Sequence, residues 1–178
     1  PEHMMDEVKT ALVARLKKTV IGDPSIEGVR MGALATRTQV ERVMDSINHL
    51  KSQQEIVYGP MDDFEIQGGS KENGAFFPPV LFENHDPLKN TLVHEVEAFG
   101  PVSTIMPYKS LEEAAHLAGM GKGSLVSSII TNDDSLATKF TLEAAHLHGR
   151  ILVLNERCAK ESTGHGSPMP MLTHGGPG

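Results

Sequence analysis

Apolar residues recur at helical spacing near the start of the chain. Met5, Val8, Leu12, Val13, Leu16 and Val20 fall on one stripe with Glu7, Lys9, Arg15 and Lys18 opposite, predicting an amphipathic helix over residues 4–20. Ile21-Gly22-Asp23-Pro24 ends it, because proline keeps the preceding residue out of the helical region. Residues 30–36 are mixed and read as a loop with an irregular strand. Thr38 and Glu41 have capping-box spacing, and Val40, Val43, Met44, Ile47 and Leu50 continue a second helix to about Lys51. Residues 55–58 read as a strand stopped by Gly59-Pro60. Gly68, Gly69, Gly74, Pro78 and Pro79 then punctuate short segments at 75–77 and 80–83.

The second half is more regular. A strand at 102–108 precedes a helix opened by Ser110 and Glu113 and running to about Met120. A β-rich run at 124–131 follows, then a helix capped within Asp133-Asp134-Ser135, continuing through His146 and ended by Gly149. Ile151-Leu152-Val153-Leu154 has the unbroken apolar character of a strand buried on both faces. This order predicts an α/β fold: a parallel sheet with βαβ crossovers and flanking helices. Ligands of such sheets sit beyond the strands' carboxyl ends, where Asn155-Glu156-Arg157-Cys158 falls.

Composition narrows the function. A net charge of -7 in 178 residues, with no long basic run, argues against a nucleic-acid or anionic-membrane surface. No apolar run is long enough to cross a bilayer. The single cysteine, Cys158, excludes an internal disulfide framework and agrees with a reducing cytoplasm. The length fits one domain, yet the short lead-in Pro1-Glu2-His3-Met4 and the closing His174-Gly175-Gly176-Pro177-Gly178 read as the edges of an excerpt from a longer polypeptide.

Candidate chemistry concentrates in Glu97-Ala98-Phe99-Gly100-Pro101. On an extended segment, side chains two apart point the same way, so Glu97 and Phe99 would meet one ligand, the carboxylate on a sugar hydroxyl and the ring on a flat heterocycle. The plainer reading is a solvated Glu97 and a core Phe99 beside a Gly-Pro turn. Gly119-Met120-Gly121-Lys122-Gly123-Ser124 follows a helix and precedes a strand, the reverse of a phosphate loop, and reads as a helix end and connector. Cys158 lacks the flanking motif of a cysteine nucleophile. His146 and His148, split by Leu147, splay apart on a helix and with His116 read as solvated or core-edge residues, while His165 and His174 have no partner at metal-ligand spacing, so no metal is expected. Residues 161–171 read either as a loop over a site or as a surface excursion.

The block from Glu97 to Pro101 resembles the signature of the aldehyde dehydrogenase superfamily. The resemblance extends over Val20-Ile21-Gly22-Asp23-Pro24, Arg30-Met31-Gly32-Ala33-Leu34, the helix bearing Gln39, Gly74-Ala75-Phe76-Phe77-Pro78-Pro79 and Leu154-Asn155. Within the superfamily, residues 159–168 and 174–178 are similar to bifunctional enzymes of phenylacetate degradation that join a semialdehyde dehydrogenase to a hotdog-type hydratase domain and open and oxidise an oxepin-CoA ring. The resemblance implies a truncated catalytic domain, with the nucleophilic cysteine, the general-base glutamate, the dinucleotide-binding half and the hydratase domain all outside the chain. It implies that Glu97 holds the nicotinamide ribose of NADP or NAD, that Phe99 flanks the nicotinamide, and that Gln39 contacts the cofactor. Asn155, Glu156, Cys158 and His165 would line the aldehyde tunnel. The implied substrate is an acyl-CoA semialdehyde, the implied parent a cytoplasmic homo-oligomer, and the fragment alone inactive. A benzoate-pathway 3,4-dehydroadipyl-CoA semialdehyde dehydrogenase and a non-catalytic α/β binding module are the alternatives.

Overall fold

The computed structural model describes residues 1–158. The chain divides into two compact units, Pro1–Pro107 and Tyr108–Gly178, the second described as far as Cys158.

The first unit holds helices α1 (Met5–Leu16) and α2 (Arg37–Leu50) and strands β1 (Glu55–Tyr58), β2 (Val80–Glu83) and β3 (Val102–Ile105). The sheet order is β1-β2-β3, with β1 antiparallel and β3 parallel to β2. β2 is central and every residue of it is buried. Its apolar side chains Val80 and Phe82 pack with Phe77 and with Val43, Ile47 and Leu50 of α2. Each such burial stabilises the fold by about 1.5–3 kcal/mol. The register of β1 slips between Ile56 and Tyr58.

Charge is managed at the end of β2. Glu83 is buried, and Glu55 lies directly across from it on β1. Like charges opposed on a ladder repel. Lys9 Nζ of α1 answers Glu83 Oε2 at 2.8 Å, and His85 lies 3.5 Å from Glu83 and 3.2 Å from Glu55. A buried acid thus ties α1, which buries no residue fully, to the sheet.

The second unit contains α3 (Leu111–Gly119), β4 (Ser127–Ile130), α4 (Asp134–Ala144) and β5 (Ile151–Leu154). β4 and β5 pair in parallel around α4, the expected βαβ crossover. Lys139 of α4 hydrogen-bonds Glu112 of α3, and Leu117, Ala137, Phe140 and Ala144 are buried.

Several boundaries differ from expectation for identifiable reasons. α1 stops at Leu16 rather than Val20, because the Val20 carbonyl accepts from the N–H groups of Arg30 and Met31 and the chain must leave the helix to meet them. α2 begins after Thr36, whose hydroxyl accepts from Gln39 N at 3.1 Å, so the capping residue is Thr36 and not Thr38. α4 ends at Ala144 because the next turn is drawn into long-range bonds: Ser124 N to Leu147 O, and Gly149 N to Ser124 O. β3 pairs with β2, and residues 75–77 form no strand. β5 is not buried on both faces; Val153 is 41% exposed and Ile130 on β4 is 78% exposed.

Candidate functional site

The glutamate–phenylalanine block lies between the short 3-10 helix Thr91–His94 and β3. Its backbone is locked from the glycine outward. A methyl group at Gly100 would stand 2.6 Å from Cγ2 of the fully buried Val43, so only glycine lets the segment lie this close to α2. Pro101 has no N–H to give, but its carbonyl accepts from Val80 N at 2.8 Å and extends the β2–β3 ladder.

Phe99 departs from expectation. Its φ is 48°, in the left-handed region that a bulky residue enters rarely, so the segment is not extended at this point and strand alternation does not align Phe99 with Glu97. The core alternative fails too, because the residue is 71% exposed. What unites the two side chains is a hollow of about 480 Å³ in the first unit, lined by Gln39, Arg42, Asp45, Ser46, Glu97, Ala98 and Phe99. Glu97 is exposed at its wall. Gln39 sends Nε2 to the Phe99 carbonyl at 2.6 Å.

The hollow therefore presents an accessible carboxylate, an uncovered aromatic ring and a guanidinium. These suit a ligand carrying hydroxyls, a flat ring and negative charge. Arg42, Asp45 and Ser46 carry no motif of their own in the sequence, although the helical period places Arg42 and Ser46 at i+3 and i+7 from Gln39 on one face of α2. A second hollow in this unit, of about 700 Å³ and lined in part by Lys17, Lys18, Tyr58 and Phe64, contains none of the expected residues.

In the second unit, Asn155 and Glu156 follow β5 as expected. The Asn155 side-chain oxygen accepts from Arg157 N at 3.0 Å and Cys158 N at 3.1 Å, closing a tight turn. Asn155 N donates to Cys158 Sγ at 3.3 Å, so the thiol lies inside that turn. Glu156 is exposed, and its N–H donates to Asn132 Oδ1 at 2.9 Å, joining the carboxyl ends of β4 and β5. His165 and the segment 161–171 lie outside the described residues. His116 and His146 line a hollow beside Glu112 and Glu143, while His148 Nδ1 meets Ser124 Oγ at 2.5 Å. Among the described residues, no three His, Cys, Asp or Glu side chains form a group suited to a metal.

The family model of the aldehyde dehydrogenase family matches residues 1–163. The chain is 46% identical over 149 residues to Protein MaoC of Klebsiella aerogenes, covering 83% of this chain and 43% of that protein. It is 35% identical over 177 residues to 3,4-dehydroadipyl-CoA semialdehyde dehydrogenase of Aromatoleum evansii, covering 99% of this chain and 34% of that one. Among solved structures, betaine aldehyde dehydrogenase of Staphylococcus aureus in complex with NAD+ superposes with a TM-score of 0.75 at 22% identity, covering 85% of this chain and 29% of that one. That likeness concerns the fold. The chain spans less than half the length of the curated relatives it matches.

Proposed function

This chain belongs to the aldehyde dehydrogenase family, and we propose that it forms part of an NAD(P)-dependent semialdehyde dehydrogenase that oxidises an acyl-CoA semialdehyde to the acid during aerobic phenylacetate degradation. The observation that carries the reading is the shared hollow of Glu97, Phe99 and Gln39. A nicotinamide cofactor fits these groups. The Glu97 carboxylate accepts from ribose hydroxyls, and the exposed Phe99 ring offers a face to the nicotinamide. When bound, the cofactor supplies the hydride acceptor. The protein's part is to fix the orientation of its reactive ring. Asn155 and Glu156 are assigned to the aldehyde pocket.

Cys158 is assigned no covalent role. Its sulfur is engaged by the Asn155 backbone, with Sγ 3.3 Å from Asn155 N and 3.6 Å from Asn155 O. The nucleophile and general base are supplied by other parts of the complete polypeptide. The benzoate-pathway alternative is favoured by the relative matched along 99% of this chain. Turnover of 3,4-dehydroadipyl-CoA semialdehyde against the ring-opened oxepin-CoA semialdehyde separates the two.

The test uses the complete polypeptide and follows NAD(P)H formation with a CoA-linked semialdehyde. Glu97→Gln is expected to weaken cofactor binding or slow turnover by about ten- to a hundredfold, the loss of one or two charge-assisted hydrogen bonds. Cys158→Ala is expected to retain activity. An inactive Cys158→Ala protein that still folds, or an unaffected Glu97→Gln enzyme, would overturn these assignments.

A further inference from the structure

We propose that Gln39 is a positioning residue: it holds the Phe99 backbone in its left-handed turn and so sets where the aromatic ring stands in the cofactor site. This rests on the reading of Glu97 and Phe99 given under the proposed function. A positive φ at a bulky residue persists only where its surroundings impose it. Here side-chain packing does not, since Phe99 is 71% exposed. The restraint falls on the peptide itself. Gln39 Nε2 donates to the Phe99 carbonyl at 2.6 Å, and the following Gly100 lies against Val43 of the same helix.

Gln39 is well placed for this work. Its N–H is bound by the Thr36 hydroxyl, so its side chain leaves a capped first turn rather than a fraying end. In an ordinary capping box, the side chain of that residue reaches back to the capping residue's own N–H. Here the amide nitrogen crosses to a residue 60 positions along the chain. The helix start that ends in Thr36 thereby becomes the reference point for the ring. Direct contact between Gln39 and the cofactor is not required for Gln39 to matter.

The test measures dissociation constants by nicotinamide fluorescence in the complete polypeptide, with Gln39→Met, Phe99→Ala and the double variant, and Gln39→Glu as a second donor-free replacement of similar shape. Circular dichroism and melting temperature verify that each is folded. Gln39→Met and Gln39→Glu are expected to weaken binding roughly three- to tenfold, the range for one hydrogen bond. In the Phe99→Ala background, Gln39→Met is expected to add less than about twofold, because the ring through which it acts is gone. Fully multiplicative effects would make Gln39 a direct ligand and overturn the proposal. So would a weakened Phe99→Ala variant beside unchanged Gln39 variants, while leaving the cofactor site intact. Unchanged binding in Phe99→Ala would remove the site reading itself, and this inference with it.

Discussion

Gly100 illustrates how much one missing side chain can decide. Its Cα lies where any β-carbon would press on Val43, a residue with 0% exposure on a β-branched, rotamer-restricted side chain. Gly100→Ala is therefore expected to destabilise the protein by about 1–3 kcal/mol, the usual range for overpacking. Val43→Ala in the same protein should recover part of that loss, so the two costs should not add in urea denaturation. Additive losses would put the cause elsewhere. At this scale the sequence was legible in composition but not in geometry. The order of Glu97, Phe99 and Gly100 identified the block, whereas the left-handed φ of Phe99 had no local signal. It arises from contacts with α2, more than fifty residues earlier in the chain.

Strand positions were legible where punctuation was clear, even where the expected burial was not met, as in β5. β2 and β5 occupy the predicted residues 80–83 and 151–154, because apolar runs there are bounded by Pro79 and Arg150 on one side and Asn84 and Asn155 on the other. Helix ends were read less well. Thr36-Arg37-Thr38-Gln39-Val40-Glu41 holds two overlapping capping patterns, and the choice between them was made by the extended backbone at Thr36. Electrostatic links between elements were invisible to periodicity and give two opposite pH dependences. Lys139, with the Glu112 N–H and the Ser110 hydroxyl after it, holds the Glu112 carboxyl down at about 2, below its ordinary 4.5. A depressed acid contributes stability above its unfolded value, lost as the pH falls toward the folded one. Glu112→Gln should therefore flatten the decline in melting temperature between pH 4.5 and about 2, modestly for so exposed a pair. Lys9 is shifted the other way, raised above 10.5 chiefly by its hydrogen bond to Glu83. Its contribution is full below the unfolded value and disappears as the pH rises through the folded one. Lys9→Met should lower the melting temperature at neutral pH and remove part of the alkaline decline. A variant as stable as the parent would show that Glu83 needs no cation.

For the whole molecule, the two units divide the proposed chemistry: the residues proposed to hold the cofactor lie in Pro1–Pro107 and those proposed for the aldehyde pocket in Tyr108–Gly178. The chain covers 43% of the Klebsiella aerogenes relative and 34% of the Aromatoleum evansii one. The purified chain alone is expected to show no semialdehyde-dependent NAD(P)H formation above blank and no submicromolar cofactor binding. Turnover by the chain alone, abolished by Cys158→Ala, would return the nucleophile to Cys158.

The slipped register between Ile56 and Tyr58 has a bearing on how the protein behaves when crowded. Among the described residues β1 is the outer strand of its sheet, and an outer strand with regularly spaced donors and acceptors is a template on which further chains polymerise. The irregularity puts those groups out of step, so an incoming strand cannot match more than a short stretch at once. Among the described residues, that margin of the sheet is a poor template for fibre growth.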